Sequence, residues 1–222
     1  MIVKSPYNKG FKMALKDRKE REKEYRKKTI MEAAQKVFSE NGYANALMEN
    51  IAQEAELGKG TLYRYFKSKD EILICLVRTG MESLNQSLEQ QLSNNECTPD
   101  LIRIFIREEL FFYKNNLDLF KIIFQFIHSI YWECQDVLQK EIGHYLRQHL
   151  DTVNKMLNAC QKNGVLFRTG LTIEKLANIL EHMILATMMN WLKKSPPNQQ
   201  KINQEAIFIS QIFLQGVQAT SQ

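Results

Sequence analysis

Between Thr29 and Gly42 the apolar residues Ile30, Ala33, Ala34, Val37 and Phe38 fall at i, i+3, i+4, i+7 and i+8. That is one stripe along an α-helix, and no strand alternation reproduces it. The period returns after Ser68, where Leu73, Leu76, Gly80, Leu84, Leu88 and Leu92 form a second seam. Breakers are scarce, with 9 glycines and 4 prolines in 222 residues, and no segment alternates apolar with polar. The expected fold class is therefore all-α. A hydrophobic content of 44% against 25% charged residues is ordinary for a globular chain and ample for a core.

The breaks that do occur order the helices. Asn41-Gly42 ends the first, because both residues tolerate the left-handed turn after a helix. A short helix follows with Ile51, Ala52 and Ala55 on its buried face. Glu56-Leu57-Gly58 turns, and a second short helix, KGTLYRYF, carries Leu62 and Phe66 on one face. Ser68-Lys69-Asp70-Glu71 has the form of a capping box, in which Ser68 accepts from the Glu71 backbone and the Glu71 carboxylate reaches back. It opens a long helix, Ser68–Leu92. Ser93–Cys97 is a polar linker, and Thr98-Pro99 starts the next helix, with Thr98 as cap and Pro99 at its first position. Further helices are expected from Leu117 to about Ile130, from about Glu133 to Asn163 with a stop at Gly164, from Thr172 to about Lys194, and from Asn203 to Gln218. Ser195-Pro196-Pro197 is a rigid break.

Charge is uneven along the chain. Residues 1–28 hold 11 basic and 4 acidic side chains, leaving 19 of the 30 basic and 21 of the 25 acidic residues for everything else. The formal charge of +5 thus comes from the N-terminal block alone. Such a block touches nucleic acid, touches an anionic membrane surface, or stays solvated. Its run KDRKEREKEYRKK is expected to turn helical from about Asp17.

The stretch GKGTLYRYFKSKDE, Gly58 to Glu71, suggests a grip on phosphate. A nucleotide-binding P-loop requires glycine five residues before the Gly-Lys pair, and Ser or Thr after it. Here those positions are Gln53 and Gly60, and no strand precedes them. Two short helices joined by a tight turn and braced by a helix on each side make a helix-turn-helix instead. With Leu62 and Phe66 turned inward, Lys59, Thr61, Tyr63, Arg64 and Tyr65 occupy the remaining faces. Thr61 and Arg64 can read base edges, and tyrosine hydroxyls and lysines suit phosphate oxygens. Lys69 lies in the first turn of the next helix, whose N-terminus also favours an anion. An ordinary solvated helix pair has the same pattern.

Residues 30–77 resemble the DNA-binding domain of the TetR family of bacterial transcriptional regulators. The resemblance rests on Ala34 and Phe38, Gly42-Tyr43, Ile51-Ala52 with Ala55, and above all the run Gly60 to Leu73, GTLYRYFKSKDEIL. It implies a three-helix DNA-binding domain over residues 26–75, preceded by a basic arm (1–25) and followed by a larger helical effector-binding and dimerisation domain (76–222). It implies that Lys59, Gly60, Thr61, Tyr63, Arg64, Tyr65 and Lys69 contact double-stranded operator DNA. It further implies a homodimer on a pseudo-palindromic operator, acting as a repressor released by a small apolar or aromatic effector. Five positions depart from the family pattern. Glu56 stands for the turn glycine, Gly58 for the recognition-helix serine cap, and Ala46-Leu47 for a threonine pair, with Asn45 as the expected substitute cap. Glu49 stands where some members carry a basic residue.

Beyond residue 77 the sequence is less specific. The aromatic run between Phe105 and Trp132, with Met183, Met188 and Met189 on a later helix, is either core or the wall of an apolar pocket. The expected pocket residues are Phe105, Phe120, Phe124, His128, Trp132, Met183 and Met188. His144 and His149 are five apart, which does not bring them onto one metal. No spacing calls for a metal, a cofactor or a catalytic group, so the chain is not expected to be an enzyme. A non-sensing architectural DNA-binding protein and a helical enzyme with a DNA-binding head stay as alternatives.

The segments Leu176–Trp191 and Ile207–Val217 are apolar on more than one face, as a dimer of helix pairs requires. Asn178, Glu181, His182 and Asn190 interrupt the most apolar helix, so no membrane span is expected. Cys75, Cys97, Cys134 and Cys160 are dispersed, and with no signal segment they fit the reducing cytoplasm.

Overall fold

The structure is a computed structural model that describes residues 7–130, 137–165, 167–168, 170–192 and 197–217. Side chains are described for 18–124 and from Leu138 onward within those ranges. The described residues form nine helices and no strand, the all-α architecture read from the spacing. They fall into two compact units that meet in sequence at Cys75 and Leu76.

The first unit holds α1 (Tyr7–Asn41), α2 (Met48–Glu54), α3 (Lys59–Tyr65) and the first turns of α4 (Lys69–Asn94). Ile30, Ala34 and Phe38 from the α1 stripe are fully buried beside Ile51 and Ala52 of α2, Leu62 of α3, and Ile72 and Leu73 of α4. Gly42 takes φ +75° and closes α1, as Asn41-Gly42 predicted.

The basic arm runs on into the first helix. Residues 7–25 are the N-terminal turns of α1, which begins ten residues before the expected start near Asp17. From residue 20 onward the charge order supports the helix. Arg26 pairs with Glu22 at 3.1 Å, Lys23 with Glu20 at 3.6 Å and Lys28 with Glu32 at 3.8 Å, all at i, i+3 or i, i+4. Such pairs support a helix whose residues 18–25 are all exposed.

The second unit holds the rest of α4, with α5 (Pro99–Asn115), α6 (Leu117–Ile130), α7 (Val137–Lys162), α8 (Ile173–Leu192) and α9 (Gln199–Val217). α5 is its axis and packs on α6, α7, α8 and α9. Leu101, Ile102, Phe105, Ile106 and Leu110 are buried along it. On α4 a Cβ at Gly80 would stand 2.3 Å from Leu119 Cδ2 of α6, so a larger residue there requires that side chain to shift. Gly164, at φ +94°, stops α7.

α8 is capped by Thr172, whose Oγ1 accepts from the Lys175 N–H at 3.3 Å. α9 begins four residues earlier than expected because Asn198 caps it, with Oδ1 accepting from Lys201 N–H at 2.9 Å. Most of the Ser195-Pro196-Pro197 break and Cys134 lie outside the described residues. No described helix is long and apolar enough to cross a membrane.

Candidate functional site

α2 and α3 pack together as the two members of a helix-turn-helix. The turn between them depends on Glu56, whose φ of +53° is the only positive value at a non-glycine among the described residues. The backbone has kept a glycine's conformation without the glycine, at a steric cost of about 1–2 kcal/mol.

Neither short helix has a side-chain cap. α2 starts after Leu47 and α3 after Gly58, neither of which bonds the first turn through a side chain. Asn45, the expected substitute, turns away: its amide donates to the Asn41 carbonyl at 3.2 Å. Ala46 is fully buried and Leu47 is 57% exposed, so the departures from the threonine pair go to opposite environments. The capping box before α4 does form, shifted by one residue. Ser68 Oγ accepts from the Glu71 N–H at 3.2 Å, while the Glu71 carboxylate accepts from the Lys67 N–H at 2.7 Å rather than from Ser68.

On α3 the buried Leu62 fixes the rotation of the helix, with Phe66 just beyond its end. Lys59, Gly60, Tyr63 and Arg64 are exposed, and Thr61 and Tyr65 are half-buried. Arg64 Nη2 lies 3.4 Å from Thr61 Oγ1, so these two side chains share one face one turn apart. Lys59 pairs with Glu49 of α2 at 3.0 Å, and that partner holds the Glu49 carboxyl below its usual range. Glu49 thus occupies a lysine on the exposed face as well as adding a negative charge there.

Lys69 is placed differently from the other six. Its ammonium donates to the carbonyls of Tyr43, Ala44 and Ala46 at 2.9, 3.0 and 3.1 Å and sits 4.7 Å from the centre of the Tyr43 ring. An ammonium has three donors, and all three are engaged. Lys69 clamps the α1–α2 loop to the start of α4, and the Tyr43 hydroxyl adds a hydrogen bond to Asp70.

The second unit contains a cavity of about 310 Å³ walled by α5, α6, α7 and α8. Phe120, Ile123, Leu146, Leu150, Ile184, Leu185 and Met188 make it largely apolar, and Tyr113, Arg147, Asn178 and His182 add polar groups. Of the expected pocket residues, Phe120 and Met188 line it. Phe124 packs on Phe120 with ring centres 6.0 Å apart. Phe105 is buried in the core and Met183 is half-buried on α8, and neither is among the described lining residues. Trp132 lies outside the described residues, as does the side chain of His128.

A polar cluster that no spacing along the chain foretells lies at this wall. His149 of α7 is 4% exposed and Glu109 of α5 is 1% exposed, and both meet Glu181 of α8. His149 Nε2 stands 3.3 Å from Glu181 Oε2 and 3.6 Å from Glu109 Oε2, while its Nδ1 is 2.9 Å from Asn85 Oδ1 on α4. Burial raises the Glu109 carboxyl above the carboxylate range, with the charge of Glu181 adding and His149 opposing. Burial alone would lower the His149 imidazole, but the two carboxylates outweigh it and raise it. The four residues come from four helices with no sequence spacing in common. The only local hint is a polar residue set on an otherwise apolar face.

Residues 30–75 match the family profile of bacterial regulatory proteins, tetR family. The HTH-type transcriptional regulator YhgD of Bacillus subtilis is 26% identical over 172 residues, covering 78% of this chain and 87% of that one. The fatty acid metabolism regulator protein of Bacillus subtilis is 24% identical over 178 residues, covering 80% and 87%. The solved structure of FadR from Bacillus subtilis in complex with stearoyl-CoA superposes with a TM-score of 0.70 at 20% identity, over 85% of this chain and 97% of that one. Residues 30–75 are thus a DNA-binding domain of the tetR family of bacterial regulatory proteins, and the relatives that extend over the rest of the chain are transcriptional regulators.

Proposed function

We propose that the protein is a homodimeric cytoplasmic repressor, released from a pseudo-palindromic operator when a small apolar effector enters the cavity of the second unit. The observation that carries this reading is the cavity itself: an apolar chamber walled by four helices, with a few polar side chains to orient a ligand. The fatty acid regulator among the relatives, and the stearoyl-CoA held by the FadR structure, make acyl-CoA thioesters the effector class to test first. Binding and release, rather than turnover, account for the site.

Operator reading is assigned to α3, with Arg64 and Thr61 on base edges and Lys59, Gly60, Tyr63 and Tyr65 on the backbone. Lys69 acts first by fixing the loop before α2. The dimer is assigned to α8 and α9, which leave Ile179, Ile207, Phe208 and Ile212 between 40% and 58% exposed while their other faces are buried. Isolated exposed residues need no explanation, but four large apolar ones on two helices fit a self-complementary bundle. The effector acts only through its differential affinity for the free and DNA-bound forms. A hundredfold preference supplies about 2.7 kcal/mol of coupling.

The test starts with a binding site selected from random DNA. Titration of the protein–DNA complex with acyl-CoAs of increasing chain length is expected to release the DNA. Phe120→Ala is expected to shift the effective concentration without changing operator affinity. Sequence-independent DNA binding, or binding that no acyl-CoA alters, overturns the reading. Sedimentation of the Phe208→Asp, Ile212→Asp double variant is expected to show a monomer.

A further inference from the structure

We propose that Glu109, His149 and Glu181 form a three-ligand site for a divalent transition-metal ion of the zinc type, with its remaining coordination position open to the cavity. The donors would be Glu109 Oε2, His149 Nε2 and a Glu181 carboxylate oxygen. All three donor atoms lie within 4.8 Å of one another.

The separations fit an ion better than they fit a shared proton. A charged hydrogen bond from Nε2 to a carboxylate would be about 2.7–2.9 Å long. The two observed separations are 3.3 and 3.6 Å, and Nε2, Glu109 Oε2 and Glu181 Oε1 are buried with no hydrogen-bond partner among the described residues. Two donors each about 2.1 Å from a tetrahedral ion stand about 3.4 Å apart. Glu181 is the least buried of the three, with its side chain 22% exposed, and a turn of its carboxylate closes the set.

The imidazole is also held in the required tautomer. An amide oxygen only accepts, so the contact with Asn85 Oδ1 keeps a proton on Nδ1 and leaves Nε2, on the carboxylate side, as the nitrogen that exchanges its proton for an ion. A second partner of this kind is what orients a metal-bound histidine, and it makes Asn85 a positioning residue. The nitrogen donor disfavours magnesium and calcium, which take oxygen sets, and one imidazole with two carboxylates suits a first-row divalent ion. His149 and Glu181 both line the cavity, which gives the ion an entry path and a place for water or a ligand donor in its open position.

The test uses the untagged full-length chain, stripped with chelator and titrated with cobalt(II) chloride while the visible d–d absorption is followed. The expected result is one cobalt per chain, displaced by zinc chloride. Glu181→Gln, at the least buried ligand, is expected to weaken cobalt binding at least tenfold with the circular dichroism unchanged. Asn85→Ala is expected to weaken it about 10–100-fold. Cys97→Ser is expected to leave it unchanged. His149→Gln is expected to abolish it. Absence of a cobalt band in the wild-type chain overturns the proposal whatever the variants do. So does a band that survives His149→Gln, or one that is lost in Cys97→Ser. Either result leaves the acyl-CoA titration to be judged on its own.

Discussion

The two units place their polar chemistry in opposite ways. In the first, the side chains assigned to DNA sit on a seven-residue helix, exposed and close together in sequence, over a core that holds only apolar groups. In the second, the last two helices leave four large apolar side chains exposed, and the polar cluster is buried where α4, α5, α7 and α8 meet. A surface that reads a polyanion has to be wet and local. A chamber that selects a small ligand has to be dry, and it draws single residues from many elements.

The largest effects test whether the two regions can be broken separately. Phe38→Ala and Phe105→Ala each remove a fully buried aromatic ring, one from each core, and each is expected to cost about 3–5 kcal/mol. Phe38→Ala should abolish DNA binding while ligand binding in the cavity persists, and Phe105→Ala should do the reverse. Thermal melts read alongside both binding assays decide it. If both functions are lost together in each variant, the comparison fails.

Arg64→Ala bears on the exposed surface alone. It is expected to cost about 1–3 kcal/mol of operator affinity and to relax preference at one base step, measured by anisotropy on matched and mismatched sites. An equal loss on every sequence would reassign Arg64 to the phosphate backbone.

Glu56→Gly is expected to stabilise the first unit by about 1 kcal/mol, because the strained φ is relieved and only part of the gain is returned through a more flexible unfolded chain. The same change removes a negative charge beside the recognition helix, so operator affinity should rise too. A melting temperature that falls would mean the positive φ is not strained.

Leu47→Ser supplies the missing cap of α2 and withdraws an exposed leucine. It is expected to add about 0.5–1 kcal/mol. If instead it weakens DNA binding, Leu47 has a role in the complex that capping does not describe.

Much of the first unit is legible along the chain because its signals are local. The stripe Ile30–Phe38, the stop at Gly42, the Leu62–Phe66 pair and the box from Ser68 to Glu71 each involve residues within one or two turns. Two side chains take partners other than the expected ones, one local and one distant. Asn45 bonds back to Asn41 instead of capping α2, and Lys69 turns to three carbonyls of a loop more than twenty residues away.

By itself the sequence determined the all-α class, the helix-turn-helix and which α3 residues are left facing outward, since helical period and turn chemistry are written in neighbouring residues. Only the tertiary structure decided that Phe120 and Met188 wall the cavity while Phe105 is core. It alone brought His149 between Glu109 and Glu181 with Asn85 behind it. Periodicity shows that a face is buried. What that face meets depends on how distant helices cross, and no spacing along the chain records that.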